Sequence, residues 1–203
     1  MKNFILLILA SLAIVSCSSS RNFSEEEIKL IMNADSLKPM RVYKITNKQD
    51  SLLLRTKSAY IKPDTNNIIL QKFVKRLYAT VRDSLSMGVG IAAPQVGILK
   101  NIIWVQRFDK KNLPFEVYLN PKIVKYSEKK QVCREGCLSI PNRRDTLSSR
   151  SFSIAIEYDN MKNDHVKETV EGFTSVIFQH EIDHLNGILY LDHLKKEVKE
   201  AKN

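Results

Sequence analysis

Gln179-His180-Glu181-Ile182-Asp183-His184 is the stretch from which the rest of the chain can be read. Gly172 opens a run in which Phe173, Val176, Ile177, His180 and His184 recur at helical spacing and share one face. Gly187 is a natural stop for that helix. Two histidines at i and i+4 present their imidazoles from one side, close enough to ligate a single cation. Glu181 lies between them, within reach of a water at that cation, where it can act as general base. In unrelated helices the same pentapeptide is merely two exposed histidines on a polar surface. Here they continue an apolar face and point inward, where an unpaired imidazole pair would be costly.

Two imidazoles leave such a site one ligand short. Downstream stand Asp192 and His193, without obvious helical context. Upstream lie Glu135-Gly136-Cys137-Leu138-Ser139 and, before that, Gly88-Val89-Gly90-Ile91-Ala92-Ala93-Pro94-Gln95. The small residues Gly88, Gly90, Ala92 and Ala93 suit a close approach of substrate backbone, and equally a tightly packed turn beside a strand.

Together the three blocks resemble the peptide deformylase family, whose signature is GxGxAAPQ, EGCLS and QHExDH in that order. The resemblance runs from about Asp50 through Leu194. It implies a metal site formed by Cys137, His180 and His184, with one position open for water, as catalytic sites require. It further implies hydrolysis of the formyl group of N-formylmethionyl peptides, with Glu181 accepting the water's proton and returning it to the departing amine. The donors to the developing oxyanion are then the Gln95 side-chain amide and the Leu138 backbone N–H. Gly88, Val89, Gly90 and Arg144 would line the peptide, and Phe173, Val176 and Ile177 would wall the pocket for the Met side chain. Core packing explains those last three equally well. Glu135 is expected to orient a ligand or a neighbouring Arg, and Asp183 to fix a ligand's tautomer or pair with an Arg. The donor set suits Fe²⁺, Zn²⁺, Ni²⁺ or Co²⁺; the resemblance implies a divalent transition metal, Fe²⁺ in the native enzyme.

Away from the motifs, Ser24 and Glu27 have the spacing of a capping box for a short helix over 24–34, and Pro39 and Pro63 break the mixed stretch 35–64. Ile69, Leu70, Phe73, Val74, Leu77, Val81 and Leu85 predict a helix over 66–86. Strands are expected at 101–108, 116–120, 122–126 and 152–158, then near 165–170 after an Asn/Asp-rich turn. A charged tail from Lys195 is expected to fray. Helix, several strands, helix is an α+β order. The resemblance implies antiparallel sheets around a central metal-binding helix that carries the His-Glu-x-x-His motif.

The whole chain has 203 residues, 43% hydrophobic and 27% charged, with a formal net charge of +10. Lys and Arg are dispersed, which reads as a basic solvated surface with no nucleic-acid motif; no nucleic-acid partner is expected, and the protein reads as a monomer. Lys2, the apolar run Phe4 to Val15, then Ser16 and Cys17 form a signal-peptide pattern too short to span a bilayer. Ile14-Val15-Ser16-Cys17 resembles the bacterial lipobox, in which the Cys is diacylated. The chain therefore divides into a signal peptide (1–16), a lipidated tether and extension with a short helix (17–49), a catalytic domain (50–194) and a tail (195–203). The resemblance places the protein in the bacterial cell envelope, held to a membrane through lipidated Cys17. A start at Met32 or Met40 would instead give a cytoplasmic protein. Cys133, four residues from Cys137, is out of disulfide reach on an extended strand and is expected to be free. The rival readings are a metalloprotease that reuses the site and a catalytically idle envelope protein that binds formyl peptides or metal. Loss of the base or a ligand would mark the latter, and Gln95, Cys137, His180, Glu181 and His184 are all present.

Overall fold

Capping and periodicity set the helices that begin the fold. In the computed structural model, which describes residues 22–84 and 87–202, the first helix is α1 (Glu25–Met32). Ser24 Oγ accepts from Glu27 N–H at 3.2 Å while the Glu27 carboxylate accepts from Ser24 N–H at 2.8 Å, completing the expected capping box. The signal-peptide pattern and Cys17 lie outside the described residues. A helix the sequence hid in its mixed stretch, α2 (Lys48–Leu54), starts at Asn47, whose side chain accepts from Asp50 N–H. Next comes α3 (Ile68–Val81), shorter than its predicted span. After Val81 the chain turns back on itself, and Gly88 N–H donates to the Val81 carbonyl at 3.0 Å.

The extension is part of the same core. Phe23, Ile31 and Met40 pack with Phe73 and Leu77 of α3. Arg76 on α3, only 3% exposed, ties the two together. Its guanidinium donates to the carbonyls of Leu30, Ile31 and Lys38 at 2.9 to 3.0 Å and to Asn33 Oδ1 at 2.7 Å. A buried cation is tolerable only when its donors are taken in this way.

The strands follow: β1 (Gly90–Ala92), a 3-10 turn (Ala93–Val96), β2 (Ile102–Gln106), β3 (Phe115–Tyr126), β4 (Lys130–Cys137), β5 (Ile140–Ser151), β6 (Ser153–Asp159) and β7 (His165–Glu171). All pair antiparallel, as a five-stranded sheet in the order β1-β2-β3-β6-β7 and a two-stranded sheet β4-β5. The strands expected at 116–120 and 122–126 are one, β3. Pro121 has no N–H for the ladder, and it falls where the register with β6 shifts between Leu119 and Lys122. Gly172, at φ +60°, turns the chain out of β7 into α4 (Gly172–Leu185), which packs against both sheets. Its end is a Schellman motif: Ile188 N–H donates to Asp183 O and Gly187 N–H to His184 O, with Gly187 at φ +72°. The residues expected to fray after Leu194 are instead the second half of α5 (Tyr190–Glu200). Lys199 in its last turn suits the helix dipole, and the Glu197 carboxylate holds the backbone N–H groups of Ser148 and Ser149. No helix among the described residues is long and apolar enough to cross a membrane.

Candidate active site

The α4 face carries His180 and His184 into the space between the two sheets, where both are buried, with ring centroids 5.0 Å apart. β4 ends there, and Cys137 Sγ lies 3.1 Å from His184 Nε2. Ligand atoms of Cys137, His180 and His184 all lie within 4.8 Å of one another, and no other such group of metal-binding side chains occurs among the described residues. The downstream candidates are elsewhere: Asp192 pairs with Arg55, and His193 Nε2 meets Asp183 Oδ2 at 2.8 Å.

A chain of charged partners fixes the histidine nearest β4. Glu135 Oε2 meets His180 Nδ1 at 2.8 Å, so the other ring nitrogen is left for the site. Arg150 donates twice to Glu135, at 2.7 and 3.0 Å, and once to Asp183 at 2.7 Å. Burial would raise the Glu135 carboxyl, but its hydrogen bonds with His180 and Arg150 outweigh this and hold it down at about 2. Sequence reasoning anticipated Glu135 and Asp183 but missed Arg150, which has no local signal. It also missed Tyr190, whose ring stacks on His180 at 6.0 Å and whose hydroxyl donates to Asp145 at 3.0 Å.

Gln95 is set by its own turn. Its Oε1 accepts from Ala92 N–H at 2.9 Å, which turns the amide nitrogen toward Cys137 Sγ at 3.5 Å and Ser139 Oγ at 3.3 Å. Glu181 is 4% exposed, and burial pushes its carboxyl up to about 7. Glu181 Oε2 and His184 Nδ1 are two of the four buried side-chain polar atoms without a hydrogen bond among the described residues. Burial acts to lower the pKa of His180, yet its hydrogen bonds with Cys137 and Glu135 outweigh this and raise it, whereas burial and the neighbouring His180 lower that of His184. A thiolate and two imidazoles, backed by a carboxylate, fit a transition-metal cation.

The site opens into a cleft of about 930 Å³ that reaches Gly88, Val89, Gly90, Leu138 and Arg144. Phe173, Val176 and Ile177 form the α4 side of the same cleft, the first partly exposed and the other two buried. Gly88, Val89, Gly90, Gln95, Leu138, Arg144 and Glu181 therefore line the cleft that ends at Cys137, His180 and His184, while Ala92, Ala93, Asp183, Asp192 and His193 do not line it. Cys133 and Cys137 both lie on β4 and are free thiols, as expected.

The family profile described as polypeptide deformylase matches residues 42–200. The peptide deformylase of Desulforudis audaxviator is 37% identical over 153 residues, 75% of this chain and 94% of that protein. Among solved structures, the Met-Ala-Ser-bound class I type b peptide deformylase of Acinetobacter baumannii superposes with a TM-score of 0.68 at 31% identity. That match covers 76% of this chain and 98% of the other. The peptide deformylase of Thermotoga maritima gives 0.65 at 32% identity, over 76% and 97% of the two chains.

Proposed function

Since this chain belongs to the polypeptide deformylase family, we propose that it is a metal-dependent hydrolase removing the formyl group from the N-terminus of formylmethionyl peptides. The observation that carries the reading is the convergence of Cys137, His180 and His184 beside buried Glu181. Cys137, His180 and His184 would hold a divalent cation, which would supply an acidified water and Lewis-acid polarisation of the formyl group. Glu181 takes the proton of the attacking water, whose oxygen bonds to the formyl carbon. The Gln95 amide, its orientation fixed by Ala92, and the Leu138 N–H donate to the oxygen on which negative charge grows. Glu181 then delivers its proton to the amine nitrogen as the C–N bond breaks, and formate leaves. Val176 and Ile177 receive the Met side chain, while Gly88, Val89 and Arg144 flank the peptide. The cation is Fe²⁺ on this reading; the mixed sulfur and nitrogen donor set favours a transition metal over Mg²⁺ or Ca²⁺. Formate release from formyl-Met-Ala-Ser by protein prepared anaerobically with Fe²⁺ tests the activity. Turnover in the wild type that is lost in Glu181→Ala is expected; no turnover with one cation bound per chain sinks it.

We further propose, from the signal-peptide pattern, that the protein sits in the cell envelope, anchored through a lipid on Cys17. The support is the order of charged start, apolar run, Ser16 and Cys17. The packing of the extension adds to it: a start at Met32 or Met40 would remove Phe23 and Ile31 from the core and take the Leu30 and Ile31 carbonyls from Arg76. Cell fractionation with palmitate labelling decides the matter, and unlabelled protein in the cytosol rules the anchor out.

A further inference from the structure

Five basic side chains line the cleft, and two of them are neutralised by the protein itself. Arg41 makes a bidentate pair with Asp50 at 2.7 and 2.9 Å, and Arg143 pairs with Asp145 at 2.7 Å. Lys44, Arg134 and Arg144 line the same cleft, and none of their side chains pairs with a carboxylate among the described residues. Two of the acids around the cleft are committed: Glu135 is taken by Arg150 and His180, and Glu181 belongs to the reaction.

Strand geometry brings two of these cations together. Arg144 sits opposite Gly136 in the β4–β5 register, and Arg134 is two residues from Gly136, so all three share one face of the hairpin. Gly136 offers no side chain to separate them. Arg144 lies across it, so that a Cβ at 136 would stand 3.0 Å from Arg144 Cγ and 3.2 Å from its Nε. Diagonal neighbours of this kind are about 7–8 Å apart, a separation at which like charges repel unless an anion lies between them. Arg134 is also three residues along β4 from Cys137, roughly 10 Å of strand. A peptide extended along β4 with its formyl carbon at the metal-binding end brings its third or fourth residue to Arg134.

We propose that Arg134 and Arg144, with Lys44 along the same cleft, form a carboxylate-binding subsite that selects formyl peptides carrying negative charge about three residues from the formyl group. The carboxylate is either an acidic side chain or the free C-terminus of a short peptide. The proposal deepens, and rests on, the deformylase reading.

The test uses the full-length protein in detergent, loaded with Fe²⁺, and reads kcat/KM for formate release. Formyl-Met-Ala-Glu-Ala-amide is expected to exceed formyl-Met-Ala-Gln-Ala-amide by about three- to tenfold at low salt, through KM. Screening should shrink that ratio toward one at about 0.5 M salt. The same gain for formyl-Met-Ala-Gln as a free acid over its amide would identify the C-terminal carboxylate as a source. A gain confined to the Glu peptide would identify the side chain. Arg134→Glu should bring the Glu-to-Gln ratio to one or below and favour formyl-Met-Ala-Lys-Ala-amide. Equal turnover of the Glu and Gln amides, and of the free acid and its amide, at both salt levels overturns the subsite and leaves the deformylase reading intact. No formate from any peptide overturns both.

Discussion

The carboxylate of Glu181 lies against the bare α-carbon of Gly90. A Cβ on residue 90 would stand 2.5 Å from Glu181 Oε1 and 2.8 Å from Ile177 Cγ2. β1 and α4 thus approach so closely that the reacting acid packs on backbone. The small residues of the first motif suit a close approach of substrate, but at Gly90 the close approach is that of the protein's own carboxylate. Gly88 is different: a Cβ there would meet Val81 Cγ2 at 3.0 Å, so its size answers to core packing beside α3.

Gly90→Ala should therefore act on chemistry more than on folding. The carboxylate must swing away from the added methyl, and a displacement of about 1 Å costs on the order of 10² in rate. Steady-state assay of formyl-Met-Ala-Ser should show a fall in kcat of that order, with about 1–3 kcal/mol of lost stability from crowding. An unchanged kcat would mean that Glu181 has room the structure does not show.

Glu135 is a positioning residue for His180. Glu135→Gln weakens both the Arg150 pair and the His180 contact, and supports of this kind are worth about 10–100-fold in metal affinity. Competition against a chromogenic chelator should show a loss in that range. Arg150→Met should do the same and destabilise the fold by about 3–5 kcal/mol, because it leaves Glu135 buried without its cation. Retained affinity in both variants would show that the metal needs no such support.

Arg76 holds the extension to the domain. Arg76→Met removes the donors to Leu30, Ile31 and Lys38 and strands their carbonyls, at about 1–3 kcal/mol for each group left buried. Chemical denaturation should show a lower midpoint, and limited proteolysis should cut between residues 24 and 40. Resistance equal to wild type would mean that packing of Phe23 and Ile31 alone suffices.

The metal-free protein should respond to pH through Glu181. Its carboxyl is raised in the fold to about 7 from an ordinary value of 4.5, so the native state binds the proton more tightly than the unfolded chain does. The resulting stability is complete below the unfolded value and is lost as pH rises through about 7. Melting temperature of the chelated protein should fall over that window, and Glu181→Gln should flatten the slope. An identical slope in the variant would assign the titration to another group.

Read along the chain, residue type and i, i+4 spacing single out His180, Glu181 and His184, because ligation and proton transfer need those groups on one helix face. Cys137, Gln95 and the reaction follow from the resemblance of three motifs in order to the deformylase family. The sequence also determined α1 and α3, whose capping box or buried stripe is written into a few turns of sequence, and α4, which is buried on nearly every side. The tertiary structure alone decided β5, whose polar residues alternate with no apolar face and which is a strand only because β4 pairs with it. It alone brought Arg150 between Glu135 and Asp183, 15 and 33 residues away, and set Arg134 and Arg144 on one face of the β4–β5 hairpin, lining the cleft with Lys44. Periodicity is a local property that one segment carries by itself. Charge convergence depends on where distant segments meet, and only the packed chain fixes that.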